Sequence, residues 1–119
     1  MNLVNCTLVQ GHADLGGAMI ALPADLTARA AASTAQVFGI RPENVSLAPL
    51  HQPGEVAVPA CVVISEPLGA ETLVTFQVGQ AELVARCPAS FKVAPGTPQT
   101  LYMNPTAMHL FDRASGQAL

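Results

Sequence analysis

The residues of this chain that could do chemistry are few and poorly grouped. His12-Ala13-Asp14 offers an imidazole and a carboxylate at alternate positions, which share one face if the backbone is extended. A metal site or acid–base pair needs a further partner, and none is visible, so these residues read as solvated loop. Glu66 and Glu71 could form a carboxylate pair, but no aromatic platform for a sugar accompanies them. Ser65-Glu66 and Ser90 lack the context of a nucleophile elbow. The Gly11 to Gly17 segment is Gly-rich yet carries no Lys, and no G-x-x-x-x-G-K-[ST] phosphate loop occurs anywhere. Cys6, Cys61 and Cys87 are far apart, with no CxxC pair to suggest zinc or a disulfide framework. They read as small residues filling strand positions. His51 and His109 are isolated, and His109, in an apolar segment, reads as a packed, hydrogen-bonded histidine. The chain alone is thus expected to be no enzyme, with no catalytic, metal or cofactor-binding residues.

The elements that must position these residues have a period of two. Val74, Phe76 and Val78 share one strand face, with Thr75 and Gln77 on the other. After Gly79-Gln80, Leu83, Ala85 and Cys87 share a face opposite Glu82, Val84 and Arg86. Two alternating runs around a short Gly-containing break predict a β-hairpin. Glu55 to Ser65 predicts a long Val-rich strand whose Pro59 suits a strand start, an edge or a bulge. Pro95-Gly96 marks a turn into a strand at Gln99 to Met103. Leu3 to Val9 and Ala18 to Leu22 predict a strand pair around the Gly-rich connection, and Gln36 to Ile40 a further strand. Leu26 to Ala35 is either a mobile connection or a single helical turn, because its alanines favour helix without forming an apolar stripe. Asn104-Pro105 predicts a turn, followed by one helical turn at Thr106 to Met108 and a last strand at His109-Leu110-Phe111. About seven short strands with Gly/Pro punctuation imply an all-β small barrel or sandwich. Residues 1–119 read as one domain.

Composition limits the function. Half the residues are hydrophobic, only 11% are charged and 4% aromatic, so few charges cover the surface and some apolar surface should meet a partner. The net charge is −3, and the five cations Arg29, Arg41, Arg86, Lys92 and Arg113 are scattered. Nucleic-acid binding is disfavoured for want of clustered cations and stacking aromatics. No apolar run approaches the roughly 20 residues that span a bilayer, so no direct membrane insertion is expected. Nor does the N-terminus resemble a signal peptide.

Val37-Phe38-Gly39-Ile40-Arg41-Pro42-Glu43 resembles a strand ending in GIRPE. Glu66-Pro67-Leu68-Gly69-Ala70-Glu71 resembles an EPLGAE turn, and Leu83-Val84-Ala85-Arg86 the strand after it. His109-Leu110-Phe111-Asp112, with Gly116 soon after, resembles an LHLFD…TG ending, and Met1-Asn2-Leu3 an opening MN segment. In this order the motifs are similar to the transport-associated OB (TOBE) domain in the ATP-binding subunits of importers for maltose, glycerol phosphate and related solutes. Leu26 to Ala35 and Ala48 to Gly54 show no match. The resemblance implies an OB-fold-like barrel acting as a regulatory and dimerisation domain, with the ATPase domain upstream of residue 1. It implies a homodimer, membrane permease subunits and a regulatory protein as partners, and a cytoplasmic place peripheral to the inner membrane. ATP and Mg would enter only through the ATPase domain.

Physical roles follow for the motif residues. Gly39 relaxes a crowded strand end, and Pro42 presets a turn that Arg41 and Glu43 pin through polar contacts. Gly69 supplies positive φ in a Pro67-Leu68-Gly69-Ala70 turn bracketed by Glu66 and Glu71. Direct contact of these residues with an effector is the other reading. The alternative function is an oxyanion-binding module, with donors from Gly11 to Gly17 or from the Gly69 to Thr72 turn.

Overall fold

Alternation of apolar and polar residues is converted into two antiparallel sheets that share one core. The computed structural model describes residues 1–30 and 35–119. The first sheet contains β1 (Asn2–Val9), β2 (His12–Asp14), β3 (Met19–Ala21), β4 (Ala35–Ile40) and β9 (His109–Asp112), in the order β3-β2-β1-β4-β9. The second contains β5 (Val56–Pro67), β6 (Glu71–Val78), β7 (Ala81–Pro88) and β8 (Pro98–Met103), in the order β7-β6-β5-β8. Short helical pieces join them: α1 (Ala24–Arg29) and 3-10 turns at Pro42–Asn44 and Pro105–Ala107. The result is a small OB-like all-β domain, as the resemblance implies, with nine strands among the described residues rather than about seven, because a strand as short as β2 shows no period.

The β6–β7 hairpin follows its sequence pattern closely. Val78 pairs with Ala81, so Gly79-Gln80 is a two-residue connection, and Gly79 takes φ 60° at its first central position. Val74, Phe76, Val78, Leu83, Ala85 and Cys87 all point inward and are buried. With Phe38, Ile20, Ile40, Leu101, Met103 and Leu110 they form the continuous core. Fully burying each large aliphatic or aromatic side chain contributes about 1.5–3 kcal/mol.

Pro59 sits where β5 pairs only with β8, because pairing with β6 begins at Cys61. The side of β5 facing away from β8 is therefore open at the proline, as a missing N–H requires. A register shift between Val62 and Ile64 leaves Val63 as the extra residue of a bulge.

The N-terminal region departs from expectation. β1 and β3 do not pair with each other, because β2 lies between them and bonds to both. His12-Ala13-Asp14 is thus a strand rather than solvated loop, with Ala13 fully buried. Gln10 and Gly11, at φ 48° and 79°, make the tight turn that returns the chain after Val9. From Leu26 to Ala35, the part up to Arg29 forms the end of the short helix and Ala35 begins β4, while residues 31–34 lie outside the described residues.

Candidate interaction site

The Arg41-Pro42-Glu43 segment leaves β4 and enters its 3-10 turn with Pro42 at the first helical position. Backbone bonds hold it: Asn44 N–H donates to the Arg41 carbonyl at 2.9 Å, and Val45 N–H donates to that of Pro42 at 3.4 Å. Neither Arg41 nor Glu43 has an ion-pair partner among the described residues, so the expected side-chain pinning does not occur. Proline's fixed φ and the backbone suffice. The turn lies against β7, close enough for the Glu43 charge to reach Arg86.

Arg86 carries the strongest polar contact of this region. Its Nε donates to Glu71 Oε2 at 3.0 Å and its Nη2 to Glu71 Oε1 at 2.9 Å, a bidentate fork across β6 and β7. The hydrogen bond from Arg86, more than its charge, holds the Glu71 carboxyl below its ordinary range, and the same bond raises the Arg86 guanidinium. Sequence reasoning placed Arg86 in a motif strand without assigning it this partner. A diagonal pairing of opposite charges on one strand face was the available signal.

Glu66, Pro67, Leu68 and Gly69 occupy the β5–β6 tip. Leu68 N–H donates to the Glu71 carbonyl at 2.8 Å, and Pro67 pairs with Thr72. The turn therefore spans Leu68 to Glu71, one residue later than expected. Gly69 has φ 91°, so its positive-φ role stands. Leu68 and Ile64 are 52% and 55% exposed, giving the tip an apolar surface beside the exposed Glu66.

Beside the Pro42–Asn44 turn runs a groove of about 720 Å³. Its floor includes Val45, Leu47, Leu50, Phe91 and Val93, and Glu43, Arg86 and Lys92 stand along it. Part of one wall comes from Ala48 to Gly54, where no motif was visible. That wall is ordered by the Ser46 hydroxyl donating to the Ala48 carbonyl at 2.7 Å and by Leu50 N–H donating to Glu55 Oε2. Sequence reasoning missed the groove. An apolar pair, Phe91 and Val93, inside a Pro-bounded loop was its only trace.

Gly39, His109 and Phe111 meet elsewhere, on the outer face of the first sheet. Gly39 pairs with His109 and Val37 with Phe111, and the Phe111 ring leans across Gly39. A Cβ on Gly39 would lie 2.9 Å from Phe111 Cε2 and 3.2 Å from Leu3 Cδ2. His109 is exposed and stacks on Phe111 at 6.4 Å between ring centroids, so it is not the packed, hydrogen-bonded residue expected. Asp112 accepts from Ser115 N–H at 2.9 Å, and this bond lowers its carboxyl.

The other chemical candidates disperse. His12 and Asp14 share a face of β2, but Asp14 Oδ1 accepts from Gly16 and Gly17 N–H at 2.9 and 3.1 Å. Two donors that an oxyanion would need in the Gly-rich segment are thus taken by the chain's own carboxylate. Cys6 and Cys87 are buried, and burial pushes both thiols up. Cys61 also fills a strand position, in β5, but on the exposed face. Among the described residues, no cluster of three His, Cys, Asp or Glu could hold a metal. No helix there is long and apolar enough to cross a membrane.

Comparison with known proteins agrees with this layout. The multiple sugar-binding transport ATP-binding protein MsmK of Streptococcus mutans is 39% identical over 85 residues, covering 70% of this chain and 22% of its own length. The sulfoquinovosyl glycerol transport ATP-binding protein SmoE of Agrobacterium fabrum is 36% identical over 83 residues, covering 70% and 22%. The sn-glycerol-3-phosphate import ATP-binding protein UgpC of Escherichia coli O157:H7 is 33% identical over 106 residues, covering 89% and 29%. The chain thus spans between about a fifth and a third of the length of these relatives. A family match covers residues 38–111, more than half the chain and inclusive of every motif from Gly39 to Phe111, and the chain belongs to the TOBE domain family.

Proposed function

We propose that this chain is the regulatory and dimerisation domain of an ATP-binding subunit in an importer for sugars or glycerol phosphate. The observation that carries the reading is similarity to ATP-binding subunits over most of this chain but under a third of theirs. On this reading the domain hydrolyses nothing itself, and its contribution is coupling. A regulatory protein that prefers one arrangement of the paired domains shifts the transport cycle by its differential affinity. The working state is a homodimer, with permease subunits reached through the ATPase domain. Its place is cytoplasmic and peripheral to the inner membrane.

A graft tests the proposal. This chain replaces the matched segment of UgpC, and uptake and ATP hydrolysis are measured with and without permease. Uptake with permease-stimulated hydrolysis supports the reading. A folded graft that hydrolyses ATP equally with and without permease, and drives no uptake, counts against it.

A further inference from the structure

We propose that the β5–β6 tip of one copy of this chain docks in the groove beside Glu43 of a second copy, and reciprocally. The inference rests on the homodimer reading and names the surface that serves it.

The tip is a knob: Leu68 and Ile64 are more than half exposed, and the Gly69-Ala70 connection stands clear of any packing neighbour at Gly69. The groove offers it an apolar lining of Val45, Leu47, Leu50, Phe91 and Val93. Charge agrees. Glu66 is exposed on the tip and Lys92 stands at the groove, and neither has an ion-pair partner among the described residues, while Glu43, the carboxylate along the groove, acts on Arg86. Arg86, the other cation of the groove, is already engaged by Glu71.

Placement makes the surface self-complementary. Glu71 closes the tip turn and pairs with Pro88, which lines the groove, so knob and groove sit at the same end of the second sheet. A two-fold interface requires both halves on one patch, because each copy must give what it receives. An apolar patch on a chain with only 11% charged residues is also costly to leave in water.

The experiment measures dimerisation of the chain by sedimentation, with circular dichroism confirming each variant's fold. The variants are Leu68→Asp, Glu66→Lys, Lys92→Glu, the Glu66→Lys/Lys92→Glu double swap, and Leu3→Asp on the outer face of the first sheet. The proposal expects Leu68→Asp to raise the dissociation constant about tenfold or more, as loss of a buried apolar anchor does. Each single charge change should weaken the dimer, the double swap should recover it, and Leu3→Asp should leave it unchanged. A dimer that survives Leu68→Asp, or gains nothing from the double swap relative to the single changes, overturns this surface while the homodimer reading stands. Weakening by Leu3→Asp as large as that by Leu68→Asp overturns it likewise. A wild-type chain that stays monomeric at high concentration overturns both.

Discussion

At position 39 two effects of a missing side chain oppose each other. Glycine in a strand sacrifices conformational entropy and packing, so alanine would ordinarily stabilise. Here the added Cβ would meet an aromatic ring atom at 2.9 Å, with Met1 Sδ at 3.1 Å. The partly buried ring lies across Gly39 and would have to shift to admit the Cβ, so the clash should dominate. Gly39→Ala is expected to destabilise by about 1–3 kcal/mol in chemical denaturation, the usual cost of overpacking. Phe111→Leu in the same background should recover part of that loss, and no recovery would show that the ring is not the cause. The need for glycine was legible at this strand end. Its reason was not, because Phe111 lies 72 residues further along the chain, and no local pattern connects them. Ser65 makes the opposite case: its Oγ is buried without a hydrogen-bond partner. Ser65→Ala should therefore be neutral or stabilising by up to about 1 kcal/mol, since the unsatisfied hydroxyl has already lost its water.

At the scale of elements, the β6–β7 hairpin was legible because period, turn and face agree over two runs of eight residues. β2 was not, since three residues carry no period and its turn relies on Gln10 adopting a positive φ that its residue type does not advertise. The floor of the groove was hidden for a related reason. Its apolar residues come from two loops distant in sequence, and only packing against β7 unites them. The hairpin's Glu71–Arg86 fork makes a testable pH dependence. The Glu71 carboxyl is depressed in the folded state, so its stabilisation is present above the unfolded value and is lost as pH falls through the folded one. Wild type should therefore be more stable than Glu71→Gln at neutral pH. The gap should close as pH drops below about 4, the ordinary glutamate range. Both groups face solvent, so added salt should narrow the gap as well. Thermal unfolding at several pH values checks this, and a gap that persists into acid would remove the ion pair as its source.

For the whole molecule the question is what binds two sheets into one body. Apolar burial between them supplies most of the cohesion, but it is non-directional and does not by itself fix how β1 meets the edge of β7. Asn2 supplies that register. Its Nδ2 donates to the Val84 carbonyl at 2.9 Å, and Val84 N–H donates to its Oδ1 at 2.8 Å. The carboxamide thus imitates a strand along an edge that would otherwise offer an open donor and acceptor at that point. Asn2→Ala removes both bonds and leaves the Val84 groups to water, at a cost of about 1–2 kcal/mol. Asn2→Asp retains the acceptor but loses the donor, so it should fall between wild type and alanine. The decisive readout is amide exchange at Val84. It should speed up in Asn2→Ala by more than the global loss of stability accounts for, while Phe76, in the interior of β6, should follow the global change alone. Equal acceleration at the two sites would mean that Asn2 contributes to stability without holding the sheets in register.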